Sequence, residues 1–166
     1  MSNKYSTKSA IKALYNTIAD NEMDRFKKVL SKPDGTFWYC NSWSIFVIRE
    51  FLDPGYPICQ YTDEQWSVFE RVLERARREG VEQITPRTPE TLKEYKNQKM
   101  KSFRINDDYY ASPELMLRCW SVLGPDMEMY IPKEPKKMLY LKSERGEAVL
   151  CPIKPPLKPY ERDINS

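Results

Sequence analysis

The sequence predicts an α+β domain made of two pseudo-repeated halves, each a helix followed by antiparallel strands. Three observations point there. Residues 103–155 read as a strand, a capped helix and three short strands in succession. A similar helix-then-strands order occurs over residues 6–50. The chain has 166 residues, a length that suits one domain with a sizeable core.

Taken in order, Ser6 or Thr7 caps a first helix. Ile11, Leu14, Tyr15, Ile18 and Ala19 then recur at helical spacing as one apolar stripe. Residues 25–30 read as a strand. Lys32-Pro33-Asp34-Gly35 is a turn, because proline presets φ and glycine accepts a positive one. Thr36-Phe37-Trp38-Tyr39-Cys40 has strong strand propensity, Asn41-Ser42 forms a second tight turn, and residues 43–48 give a third strand. Asp53-Pro54-Gly55-Tyr56-Pro57 is a loop. Thr62-Asp63-Glu64-Gln65 is a capping box that opens a helix. Trp66, Phe69, Val72, Leu73 and Ala76 form its buried face, and Gly80 ends it.

Residues 82–100 read as an excursion or loop between the halves, with Thr88-Pro89-Glu90 suited to cap a short helix. After a short strand at Phe103-Arg104-Ile105, Ser112-Pro113 is a strong helix start, with serine at the N-cap and proline at the first turn. Leu115, Met116, Cys119, Trp120 and Leu123 face inward, and Gly124-Pro125 stops the helix. Strands follow at 127–131, 138–141 and 148–153. The expected organisation is one domain over residues 1–154, with residues 62–100 inserted between the halves and a Pro-rich tail over 155–166. The helices are expected on one face of the sheet.

Composition narrows the chemistry. Histidine is absent, which removes the usual general base near neutral pH and the commonest metal ligand. The four cysteines (Cys40, Cys59, Cys119, Cys151) form no CxxC, so reduced thiols and no zinc site are expected. No nucleophile–base pair can be assembled, so no enzyme, cofactor or metal is expected. A net charge of +3 neither demands nor excludes nucleic acid. No run approaches the length of a membrane span, and no apolar signal segment is visible in residues 1–10; a cytoplasmic protein is expected.

The run Arg104-Ile105-Asn106-Asp107-Asp108-Tyr109-Tyr110, residues 115–124, Met127-Glu128-Met129-Tyr130-Ile131, Met138-Leu139-Tyr140-Leu141 and Ala148-Val149-Leu150-Cys151-Pro152-Ile153-Lys154 resembles the final domain of bacterial DNA sliding clamps. Residues 34–43 are similar to the clamp pattern of hairpin turn, strand and polar turn. The resemblance covers about two thirds of the chain and rests on element order and apolarity. It implies a clamp-like sheet, and a hydrophobic peptide pocket bordered by Pro152, Ile153 and Lys154. Two departures stand out. The helix at residues 62–79 has no clamp counterpart, and the helices that would line a clamp's hole carry few cations: Lys8, Lys12 and Arg118.

Other candidate sites each have two readings. Arg71, Arg75 and Arg78 share one side of their helix, while Arg77 lies off it. They form either a contact for phosphates or an acidic partner, or a wet face balanced by Glu70, Glu74 and Glu79. Trp38, Tyr39 and Trp43 crowd one hairpin; alternation sends Trp38 and Tyr39 to opposite faces, so at least one is expected to be exposed, as a binding hot spot or as cover for the sheet's own helices. Asp107-Asp108 suits a turn better than a metal. The functional expectation is a non-catalytic binding protein that modulates nucleic-acid-processing machinery, in the manner of a phage or mobile-element inhibitor of a host nuclease (an anti-CRISPR protein). The alternative is a DNA-binding, clamp-like oligomer acting as a replication accessory. A protein partner is expected, with DNA and self-association as further options.

Overall fold

The structure, a computed structural model, describes residues 7–60, 63–106, 109–134 and 136–153. Its helices are α1 (Thr7–Ala19), α2 (Asp63–Glu79), α3 (Pro89–Asn97) and α4 (Pro113–Leu123). Its strands are β1 (Val29–Ser31), β2 (Phe37–Cys40), β3 (Ser44–Ile48), β4 (Ile58–Gln60), β5 (Glu82–Ile84), β6 (Phe103–Arg104), β7 (Tyr110–Ala111), β8 (Glu128–Ile131), β9 (Leu139–Ser143) and β10 (Gly146–Leu150). The Thr62 cap, the Trp66 side chain, Asp107-Asp108, Lys154 and the tail from residue 155 lie outside the described residues.

Eight strands form one mixed sheet in the order β4-β1-β2-β3-β10-β9-β8-β5. Only β1 and β4 run parallel; every other neighbouring pair is antiparallel. β1–β3 follow α1 and β8–β10 follow α4, and the two sets lie in mirrored order about the β3–β10 pair. β6 and β7 make a separate ribbon, which Tyr110 links to Ile153 by a bridge.

Both faces of the sheet are covered. On one, Ala10, Leu14 and Ile18 of α1, Leu92 of α3 and Met116, Cys119 and Leu123 of α4 pack on Tyr39, Phe46, Ile48, Met129, Leu141, Ala148 and Leu150. On the other, Leu73 and Ala76 of α2, with Phe69 and Val72, pack on Leu30, Trp38, Cys40, Ile45, Val47, Tyr140 and Val149. The expectation of helices on one face is therefore corrected. The cause is visible in β3, whose side chains are buried throughout: a run of Ile45-Phe46-Val47-Ile48 has no wet side to offer, so it needs cover above and below.

Local chemistry places the joints. Asn41 is buried in the turn between β2 and β3. Its Oδ1 accepts from the Trp43 and Ser44 amides at 2.7 and 2.8 Å, and its Nδ2 donates to the Thr17 carbonyl at 2.8 Å, tying the hairpin to α1. Arg118 of α4 is buried and reaches Asp20 at 2.8 Å and Glu114 at 3.6 Å, which holds α4 to the end of α1. Ser112 caps α4 by accepting from the Leu115 amide. Gly35 adopts φ 87°, as its turn requires.

Three segments differ from the sequence reading. Residues 25–30 split into a 3-10 turn (Asp24–Phe26) and β1, because Asn21 Nδ2 donates to the carbonyls of Ile18 and Cys40 and holds the chain curled there. Residues 58–60, unassigned from sequence, add β4 to the sheet edge. Residues 82–100 are no loop: β5 pairs with β8, and α3, capped by Thr88, buries Leu92 against α4. The mostly polar composition of α3 is that of a short helix with one apolar contact line.

Gly146 is a point of close approach. A Cβ there would lie 2.1 Å from the Val47 carbonyl oxygen and 3.0 Å from Ile48 Cα, both main-chain atoms that cannot rotate away. Gly146→Ala is expected to push β10 off β3 and to cost about 2–3 kcal/mol or more in urea unfolding. An unchanged midpoint would show that the strands tolerate separation.

Candidate binding surface

Helix α2 covers the sheet's second face and decides what that side of the molecule exposes. Its charges sort into two groups. Glu70 is paired with Lys32, Glu79 lies 3.5 Å from Lys137, and Arg77 grips Glu147 with Nε and Nη2 both at 2.5 Å. Arg71, Arg75 and Arg78 are exposed and make no ion pair among the described residues; Glu74 is the exposed acid among them. Two of the three acids that were to balance the arginines are thus paired with lysines of other segments, and the outer side of α2 is left basic. The three arginines span about 10 Å of helix.

An apolar cleft of ≈ 120 Å³ opens beside this ridge. Val68, Phe69 and Val72 of α2 form one wall; the β2–β3 turn with Trp43 and Ile45, together with Met138, Val149 and Cys151, forms the other. Val68 and Trp43 are more than half exposed, at 54% and 57%. By helical spacing Val68 lies on the same side of α2 as Arg71 and Arg75.

The predicted residues therefore scatter. Arg71, Arg75, Arg78 and Trp43 share the outer surface around α2. Trp38 does not join them: it is 3% exposed beneath α2, its indole N–H donating to Thr36 Oγ1 at 3.0 Å, so its role is packing. Tyr39 is fully buried on the opposite face, and its hydroxyl donates to the Leu52 carbonyl at 2.7 Å. Neither is exposed, because both sheet faces carry helices. Pro152 and Ile153 are half-buried; the Cys151 amide donates to Trp43 O and the Ile153 amide to Tyr110 O, so the segment is pinned between the turn and β7. Cys151, rather than Pro152 or Ile153, lines the cleft. Lys154 lies outside the described residues. Val68 was missed from sequence; its signal is an apolar residue off the buried stripe of an amphipathic helix.

A second arrangement also escaped the sequence. Glu147 alternates with Val149 onto the α2 face, where it accepts two hydrogen bonds from Arg77 and one from the Tyr140 hydroxyl at 2.6 Å. Burial pushes the Glu147 carboxyl up. Arg77, Tyr140 and the charge of Arg49 outweigh that and hold it below the usual carboxylate range. Hydrogen bonding to Glu147 raises Arg77 further, and burial raises the Tyr140 phenol. Burial likewise raises the thiols of Cys40, Cys119 and Cys151, which stay protonated at neutral pH. Among the described residues no three Cys, Asp or Glu side chains gather to hold a metal, and no helix is long and apolar enough to cross a membrane.

The chain matches no family model, no curated protein and no solved structure.

Two outcomes follow from this geometry. Trp38→Ala should destabilise the fold by about 3–5 kcal/mol, as loss of a buried ring does, whereas Trp43→Ala should stay within about 0.5 kcal/mol; equal effects in urea unfolding would contradict the burial assigned here. Glu147 has a depressed folded pKa, so its contribution to stability is complete above its unfolded value of about 4.3 and is lost as pH falls through the folded pKa. The stability of Glu147→Gln should therefore fall less steeply than that of the parent as the pH drops below about 4.3. Parallel profiles would contradict the Arg77–Glu147–Tyr140 assignment.

Proposed function

We propose that this chain is a non-catalytic binding protein that acts on nucleic-acid-processing machinery, with the outer flank of α2 and the residue 41–45 turn as its contact surface. The observation that carries the reading is the sorting of charge on α2. Internal pairing of Glu70, Arg77 and Glu79 leaves Arg71, Arg75 and Arg78 facing outward beside an apolar cleft edged by Trp43 and Val68. Arginine and tryptophan are the residue types that concentrate binding energy, and an exposed apolar recess next to them is the usual anatomy of a contact site.

The nucleic-acid half of the reading is supported by the sequence resemblance to clamp domains. The mirrored order of β1–β3 and β8–β10, each set preceded by a helix, is what two pseudo-repeated clamp-like halves would give. An inhibitor of a host nuclease from a phage or mobile element, of the anti-CRISPR type, is the form we put forward. It needs surface rather than chemistry, which a chain without histidine is suited to provide.

A DNA-binding, clamp-like oligomer is the second reading, and the cations it would use on α1 are Lys8 and Lys12, both exposed. Arg118, the one arginine of α4, is held by Asp20 and Glu114 and is not free for phosphate. The experiment is affinity capture from a bacterial lysate with the parent and with an Arg71→Glu, Arg75→Glu, Arg78→Glu variant, paired with retention on DNA. The expected result is capture of a nuclease or replication protein that drops roughly tenfold or more in the variant, with little retention on DNA. Capture unaffected by the triple reversal would remove the α2 surface. Salt-dependent DNA retention that survives it would favour the second reading.

A further inference from the structure

The two edges of the sheet are built differently. The free edge of β5 carries Glu82, and a charge on an edge strand is a common guard against pairing with another chain. Among the described residues no strand lies outside β4, whose Ile58-Cys59-Gln60 carries no charge and whose Ile58 is 51% exposed. Around it lie other exposed apolar groups. Tyr15 of α1 stacks on Tyr56 at 5.4 Å, and the 3-10 turn presents Met23 and Phe26, 49% and 40% exposed. Among the described residues, four of the eight large exposed apolar side chains (Tyr15, Met23, Phe26 and Ile58) thus come from β4 and the segments that flank it.

From this we infer that β4 is a self-association edge, and that its occupant is the β4 of a second copy, paired antiparallel about a two-fold axis. Charge selects the occupant. A two-fold contact sets a strand against its own copy, so it excludes edges that carry like charges and suits one that carries none. The rim around the patch is mixed rather than of one sign, with Asp24 and Lys27 already 3.4 Å apart. The register follows from length. Only a pairing centred on Cys59 matches all three residues, setting Ile58 against Gln60 of the other copy and Cys59 against itself.

That register has a chemical signature. Directly opposed residues of an antiparallel pair have Cα atoms about 4.5–5.5 Å apart, inside the range of about 4.4–6.8 Å that a disulfide spans. Cys59 shares a sheet face with its β1 neighbour Leu30, so the two thiols would project from the same side of the joined sheet. Since β5 is guarded, pairing stops at two copies, and a ring of head-to-tail edges does not form.

The test measures mass by light scattering across the micromolar range, then cross-links with diamide, which takes two electrons and two protons from a thiol pair. A Cys151→Ser background leaves Cys59 as the accessible thiol, because Cys40 and Cys119 are buried. The expected results are a dimer whose fraction rises with concentration, and a covalent dimer that disappears in Cys59→Ser. Ile58→Lys and Tyr15→Glu, both at exposed positions, should give folded monomers by circular dichroism. A monomer up to on the order of 100 µM, assemblies larger than two, a dimer untouched by Ile58→Lys, or a dimer that diamide fails to link would each overturn the inference.

Discussion

The β3–β10 pair is the constraint on which the rest of the molecule depends. It is where the amino-terminal strands meet the carboxy-terminal ones within the sheet, through five residues in register from Ser44–Leu150 to Ile48–Gly146. Side-chain size sets its closeness: Gly146 lets the backbones approach to a distance that no other residue permits. The joint is repeated one layer up, where Arg118 and Asp20 tie α4 to α1. With both in place, the sheet is continuous from β4 to β5.

Continuity of the sheet is also what makes α2 informative. A helix laid across β2, β3, β10 and β9 must bring its flanking charges down onto strands from both ends of the chain. Lys32 and Glu147 are waiting there, and each neutralises one charge of α2. What is left without an ion pair among the described residues is three exposed arginines and one glutamate. The exposed character of α2 is thus set by the strands beneath it as much as by its own sequence.

Much of the architecture is legible in the residues. The stripe of Ile11, Leu14 and Ile18, the Ser112-Pro113 start of α4 and the glycine turn at Gly35 are local signals, and local signals survive folding. Edge strands β4 and β5 carry none: three residues of mixed polarity become strands only because β1 and β8 offer them hydrogen bonds. The misreading of Trp38 has the same origin. Alternation tells which face a side chain takes, but not whether that face is covered. The unbroken apolar run of β3 does hold that information, since a strand wetted on one side would alternate. The pairing of Glu147 with Arg77 joins residues 70 positions apart, beyond the reach of any window along the chain.

The lateness of β10 has a kinetic consequence. β3 is apolar without a break from Ile45 to Ile48, and its partner is encoded roughly a hundred residues downstream. Until that partner docks, Ile45, Phe46, Val47 and Ile48 present a naked hydrogen-bonding rim to whatever strand comes near. Truncated products ending before residue 146 are thus the species most prone to aggregate, and holdase chaperones would find their grip on the first third of the nascent polypeptide.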